Sequence, residues 1–571
     1  MDCTNAEYMK TYRNLLVLAT LLLSFGQMTA QSRRPKLVVG IVVDQMRYDY
    51  LYRYSDHYGE DGFKRLLREG FSFDSTNYNY VPTVTAAGHS SIYTGTTPSH
   101  HGIIGNSWFD RTLRSSVSNV GDSTVQIVGS AVPNPSGKSP AYLLAKTITD
   151  QIRAEMGPES KIISVSLKDR GAILPGGHSA NAAYWQDTET SPGNFVTSTF
   201  YQDSLPGWVA DFNAEGRSEA YMGQTWNTLL PLEEYDESAP DNNGYESVLR
   251  GKEAPVFPYD LSAIKAAYGD APYLGVLGAT PFGNTLLKDF AIQALREEQL
   301  GQDEITDALC ISFSSTDIAG HTFGPQSVEV QDMYLRLDRD IAELLGVLDQ
   351  EVGKGEYVLF LTSDHGAQPV VSYAVEQGLP AGLAVIPRFE HSLNFALSLK
   401  YGAFNWIESF GTEDIYLDHA LIAEKGESLL EMQQAVADHM KEQPGVRYAL
   451  TATELQEKQF DSGLPAMVQN GFYPERSGDV ILVYEPGYVA TYDYRTPITK
   501  VRGTQHGSGY EWDTHVPLVW FGAGIPHGAS ARRVHPTDIT PTLGQLLNIP
   551  APEGATGEPL QELFDPVKGS E

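Results

Sequence analysis

A chain of 571 residues with 41% hydrophobic and 20% charged side chains has the make-up of a folded protein, long enough for one large domain with insertions or for several domains. Its formal net charge of −32 argues against a nucleic-acid partner. That charge says little about a small anionic substrate, because bound metal inverts the local potential.

Residues 1–30 read as a signal peptide. The apolar run 15–25, LLVLATLLLSF, is too short to span a bilayer comfortably, and small and polar residues follow it. Lys10 and Arg13 supply the positive end, whereas Asp2 and Glu7 fit that role badly, which makes Met9 a candidate for the true start. Cleavage after Ala30 would leave 31–571 as the mature chain. A membrane anchor is the rival reading, disfavoured by the short run; no other stretch approaches transmembrane length. The mature protein is therefore expected to be exported, periplasmic or secreted, with no membrane span. Cys3 would leave with the peptide, so neither disulfides nor thiol catalysis are expected.

Next come the core elements. Residues 36–43 (KLVVGIVV) form the near-continuous aliphatic run of a strand buried on both faces. Residues 161–166 (KIISVS), 308–314 (ALCISFS), 357–362 (YVLFLT) and 516–521 (VPLVWF) repeat that character. Cys310 lies in one of these runs, where it reads as a buried structural thiol. Apolar residues spaced three to four apart predict a helix over Val328–Leu348, capped by Ser327. Near the C-terminus, Thr540 and Pro541 read as N-cap and first helical residue. Residues 181–301 and 371–478 interrupt the alternation and are read as two large insertions carried by a single catalytic domain. The predicted fold is α/β, with a mostly parallel central sheet flanked by helices.

In such sheets ligands bind at the C-terminal edge of the strands. Asp44, Lys168, Asp317 and Asp364 each lie just past the end of a predicted strand. Three motifs there pair acid with imidazole or supply a further imidazole: STDIAGH at 315–321, SDHG at 363–366 and GTQHG at 503–507. Any one Asp or His at a strand end usually caps a turn. Three carboxylates (Asp44, Asp317, Asp364) with three imidazoles (His321, His365, His506) are what two adjacent divalent metals need. An Asp followed four residues later by His, as in Asp317 and His321, can converge on one ion from a single helical turn. Residues 81–106, VPTVTAAGHSSIYTGTTPSHHGIIGN, add hydroxyls and an amide; Thr83 and Thr85 are both candidate nucleophiles. His89, His100, His101 and His178 are read as structural or supporting groups, since six ligands are already present.

The order of Asp44, VPTVTAAGH, DIAGH, SDHG and the late QHG resembles the alkaline phosphatase superfamily. More narrowly, NYNYVPTVTAAGHSSIYTG, HGIIGN, SLKDRGAILPGGH and DIAGHTFGP are similar to the periplasmic, phosphate-insensitive alkaline phosphatases of the PafA type. The resemblance implies two zinc ions per chain. Asp317, His321 and His506 would hold one; Asp44, Asp364 and His365 would hold the other, with Thr85 beside it. It also favours Thr85 over Thr83 as nucleophile, by the spacing from Asp44, and makes Asn106, Lys168 and Arg170 contacts to phosphoryl oxygens. Lys168 and Arg170 lie two apart, so in an extended segment both would project to one side.

The function implied is hydrolysis of small phosphate monoesters through a phosphothreonine. A phosphodiesterase or phosphonate hydrolase of the same superfamily is the enzymatic alternative. An inactive, metal-stabilised surface binding protein is the alternative from another class. The physiological substrate and the oligomeric state are not legible in the sequence.

Overall fold

The protein is described by a computed structural model covering residues 34–130, 136–188 and 193–564; the expected signal peptide and Cys3 lie outside the described residues. Its centre is a sheet of eleven strands: β1 (Leu37–Val43), β2 (Phe71–Asn77), β3 (Ile127–Val128), β4 (Ile162–Ser166), β5 (Ala182–Gln186), β6 (Phe195–Ser198), β7 (Asp307–Phe313), β8 (Tyr357–Thr362), β9 (His515–Val516), β10 (Leu518–Gly522) and β11 (Gly528–Val534). They run in the order β9-β2-β10-β8-β1-β7-β4-β5-β6-β3, with β11 branching from β2.

The aliphatic runs become the middle of this sheet because both of their faces are covered. Along β1, Leu37, Val39, Ile41 and Val43 enter one hydrophobic cluster while Val38 and Val42 enter the one on the opposite face. Helices α3 (Pro281–Glu297) and α5 (Val328–Leu348) contribute to the first cluster, and α1 (Thr85–Thr94) to the second. Gly40 permits the close approach on the α1 side, since a Cβ there would meet the Tyr93 hydroxyl and the Phe360 ring.

Strands β8, β1, β7, β4 and β5 are parallel, as expected, but the flanks are not. β10 runs antiparallel to β8, and β6 antiparallel to β5, so the sheet is mixed. The run 516–521 is also split: Pro517, which has no N–H to give a ladder, separates β9 from β10. Helix α5 spans Val328–Leu348, and the Ser327 side chain accepts from Val330 N. The C-terminal helix instead begins two residues early, at Ile539, with Asp538 in the cap position and Thr540 and Pro541 inside its first turn. The Thr540 hydroxyl is engaged elsewhere, donating to Ile92 O on α1.

The two interruptions divide differently from the expected boundaries. Within 181–301, β5, β6 and α3 belong to the central layers, because their apolar faces pack on β4 and β7. The stretch 207–278 stands outside the sheet, with short helices and the paired strands Thr225–Trp226 and Tyr259–Asp260. The second interruption forms a cap with its own four-stranded sheet, ordered Ile407–Phe410, Asp414–Leu417, Val480–Tyr484, Val446–Thr451. Helices Ile386–Tyr401 and Leu429–Lys441 close a separate core on it. The cap sheet extends past residue 478 because Val480–Tyr484 pairs with strands on both sides of it.

Candidate active site

Parallel register brings distant residues to one edge. Val43 pairs with Phe313, Val42 with Thr362 and Ser312 with Ser166, so four neighbouring strands end level. Asp44, Asp317, Asp364 and Lys168 leave those ends together. Asp317 and His321 lie one turn apart on α4 (Ser315–Phe323), with His321 Nε2 3.2 Å from Asp317 Oδ1.

Asp44, Asp364 and His365 offer ligand atoms that all lie within 4.8 Å of one another, and so do Asp317, His365 and His506. Asp44, Asp364 and His365 are fully buried, yet Asp44 Oδ1, Asp364 Oδ2 and His365 Nε2 have no hydrogen-bond partner. Orphaned buried oxygens and an imidazole nitrogen are costly unless something else satisfies them. All three histidines hold Nδ1 against a backbone carbonyl: His321 to Thr504 O at 2.9 Å, His365 to Gly366 O at 2.9 Å and His506 to Thr83 O at 2.9 Å. That contact fixes Nδ1 as the protonated nitrogen and leaves the Nε2 lone pair free, the tautomer a metal requires. The donor set therefore fits divalent cations, with imidazole and carboxylate suiting zinc. His365 lies within reach of both groups, and its ring stacks on His506 at 3.6 Å between centroids.

The charges respond to this crowding. Burial, then repulsion by Asp317 and Asp364, pushes Asp44 up to about 7. Asp317 is driven well below the usual carboxylate range: its burial is more than offset by His321 and Lys168. His506 is held well below the ordinary histidine value by burial and by its neighbours His365 and His321. Lys168 Nζ stands 2.6 Å from Asp44 Oδ2 and 2.5 Å from Asp317 Oδ2, at the junction of the two ligand groups.

Thr85 opens α1, a helix whose ten residues are all buried. A Cβ on Gly88 would collide with the backbone of Asp364, so glycine lets this helix press directly against that residue. Asn106 accepts from Ala86 N through Oδ1 at 3.0 Å. With Oδ1 committed to the helix, the Asn106 amide N–H groups face away from it. The Thr83 hydroxyl is engaged, donating to Ser508 O at 2.8 Å.

Lys168 and Arg170 do not share an extended segment as expected: Lys168 is extended at the cap of α2 (Asp169–Gly176) and Arg170 lies in that helix's first turn. Both nevertheless line one cavity of about 430 Å³, together with Trp185, Gln186 and Ile318. Arg170 Nε is buried without a partner.

The sequence reading missed Gln45. Its backbone N donates to Asp364 Oδ1 at 3.1 Å and its Nε2 to Asp317 Oδ1 at 2.5 Å, tying the two groups together. Gln45 has φ 66, a left-handed conformation uncommon outside glycine, which only the fold reveals. His89 is a supporting group as expected, with Nδ1 2.8 Å from Thr85 O and 3.3 Å from Asp364 Oδ2. His100, His101 and His178 make their hydrogen bonds away from the ligand groups. Cys310 is buried within β7, and burial pushes its thiol up to about 12.

The family profile for type I phosphodiesterase / nucleotide pyrophosphatase matches residues 38–510. Alkaline phosphatase PafA of Elizabethkingia meningoseptica is 43% identical over 540 residues, 94% of this chain and 96% of that one. A protein named calcium-transporting ATPase from Myroides odoratus is 41% identical over 545 residues, 95% of this chain and 97% of that one. Crystal structures of wild-type PafA and of a four-substitution variant match at 42% identity, covering 93% of this chain and 99% of theirs, with TM-scores of 0.87 and 0.86. The four substituted positions in that variant are a Thr, an Asn, a Lys and an Arg, with the same separations along the chain as Thr85, Asn106, Lys168 and Arg170 have here.

Proposed function

The chain belongs to the type I phosphodiesterase / nucleotide pyrophosphatase family, within the alkaline phosphatase superfamily, and on that footing we propose how it works as an exported alkaline phosphatase. It hydrolyses phosphate monoesters. Asp317, His321 and His506 would hold one zinc ion, and Asp44, Asp364 and His365 the second, with Thr85 beside it. Two such ions would lower the pKa of a coordinated hydroxyl or water and stabilise charge on the attacking and leaving oxygens.

The chain's own residues do the rest. The Thr85 hydroxyl attacks phosphorus, the ester oxygen leaves, and the resulting phosphothreonine is hydrolysed by water to restore the hydroxyl. Placement at the head of α1 puts the helix's positive end next to the reacting phosphoryl group. Asn106, with Oδ1 anchored on Ala86 N, gives amide hydrogens to one phosphoryl oxygen; Lys168 and Arg170 take the others. Gln45 keeps Asp317 and Asp364 at fixed separation.

The observation that carries the monoester reading is Lys168 Nζ between Asp44 and Asp317, with Arg170 lining the same cavity. One cation beside the candidate metal ligands and a second on the cavity that Lys168 also lines match the two charges of a monoester, where a diester offers one. The family description alone leaves a diesterase or phosphonate hydrolase open. The terminal phosphoryl of a nucleoside triphosphate presents the same dianion, so ATP belongs among the substrates tested. The intact nucleophile and ligand set argue against a silent binding protein.

The deciding experiment is kinetics on an aryl monoester, the matching diester and ATP, with metal content measured on the same sample. Preference for the monoester with about two zinc ions per chain supports the proposal. Preference for the diester replaces it with the diesterase.

A further inference from the structure

Asn106 stands at the base of a hairpin whose tip is fastened to the cap. Strands Ser107–Asp110 and Ser115–Ser118 pair antiparallel, Ser107 opposite Ser118. Asn119, just past the second strand, closes the base: its backbone N and its Nδ2 donate to Asn106 O at 3.3 and 2.6 Å. At the other end, Arg111 donates from Nη2 to Asp479 Oδ2 at 2.7 Å and from Nη1 to Leu417 O at 3.2 Å, with its guanidinium 5.0 Å from the Tyr416 ring. Arg114 Nη2 lies 2.7 Å from Glu408 Oε1. All four of these partners belong to the cap.

The cap end of this strut is stiff. Asp479 is buried and also accepts from Leu417 N at 2.8 Å and Gln433 Nε2 at 2.9 Å, and it pairs with His419 Nε2 at 2.8 Å. Arg476, also from the cap, donates to Tyr142 O at 2.7 Å and lies 5.0 Å from the Trp108 ring, on the first hairpin strand. Two four-residue strands cannot hold a pose alone. The base is tied to α1 through Ala86 N, and the cap's grip on the tip and the flank bears on how the hairpin holds Asn106 against that anchor.

We propose that the cap positions Asn106 for phosphoryl binding, and that Arg111, through its contacts with Asp479 and Leu417, is the positioning residue that transmits it. The inference rests on reading Asn106 as a phosphoryl contact. It gives the second insertion a role in the chemistry, through a residue that touches neither substrate nor metal.

The test is a double-mutant cycle in the full chain on an aryl phosphate monoester, at equal metal content and with Tm recorded for each variant. Arg111→Met is expected to lower kcat/KM by about ten- to 10²-fold, the scale of a misplaced binding group. In an Asn106→Ala background the same change is expected to cost almost nothing, because the group it positions is gone. Arg111→Lys, which keeps the charge toward Asp479, is expected to recover part of the loss. Equal losses in both backgrounds, or none in either, overturn the proposal. If Asn106→Ala itself leaves kcat/KM unchanged, the reading of Asn106 fails first and takes this proposal with it. Should Arg111→Met not fold, Glu408→Gln at the cap end takes its place in the cycle. A smaller loss that vanishes with Asn106→Ala is then expected, and one that persists overturns the proposal.

Discussion

Thr83 and Thr85 have the same functional group and differ in what surrounds it. Thr83 spends its hydroxyl on Ser508 O, while Thr85 heads a buried helix that presses on Asp364. Thr85→Ala is expected to slow the chemical step by several orders of magnitude with metal content unchanged, and Thr85→Ser to keep much more of the rate. Phosphoprotein trapped on Thr83 or Ser90 would reassign the nucleophile. Lys168 and Arg170 invite the complementary experiment. Each charge-assisted contact contributes on the order of 1.5–3 kcal/mol. Lys168→Ala/Arg170→Ala is therefore expected to cost about 10² to 10⁴ in kcat/KM on a monoester and far less on a diester. An equal proportional loss on both substrates would make the pair supports of the site rather than contacts to phosphate.

Helices α3 and α5 face each other across a buried acid. Asp340 on α5 accepts from the Thr285 hydroxyl at 3.0 Å and lies 3.8 Å from Lys288 Nζ. Burial, only partly offset by Lys288 and Thr285, raises it from 3.8 to about 7. Between those values the folded protein keeps a proton that the unfolded chain releases. The stabilisation from that proton is complete below about pH 4 and is lost as pH rises through about 7. Asp340→Asn, a mimic of the protonated acid, is expected to leave Tm unchanged at pH 4 and raise it at pH 8. The corresponding gain at pH 8 is at most about 4 kcal/mol. The same gain at both pH values would show that Asp340 is not the titrating group. Elements of this kind were legible where local and tertiary forces agree: the spacing of apolar residues and Ser327 placed α5 at its observed ends. Where they disagree the reading slipped, as at Thr540, whose hydroxyl is claimed by α1.

For the molecule as a whole, the ligand groups are where folding and function meet. Three buried carboxylates, of which Asp44 and Asp364 each keep an oxygen that accepts no hydrogen bond, oppose folding unless cations balance them. Chelation is expected to abolish activity and also to lower Tm, since ions held only by the native site stabilise it by mass action. Zinc is expected to restore both best among divalent metals. Full activity in protein shown to be metal-free would end the two-metal reading. The cap enters at this scale too: it grips the hairpin that begins after Asn106, and its Met467 O accepts from Val81 N on the segment leading to Thr85.

The sequence by itself determined which strands form the centre of the sheet, because runs such as LVVGIVV are stable only with both faces covered. It also determined which residues gather at one edge, since parallel strands in register bring their ends together wherever they lie in the chain. It did not determine the direction of β10 or the membership of β5 and β6, because hydrophobic pattern is blind to strand polarity and to pairing partner. Nor did it show Gln45 holding two carboxylates, or the helical turn that separates Lys168 from Arg170. Those depend on backbone conformations and contacts between residues hundreds of positions apart, which are fixed only when the layers pack.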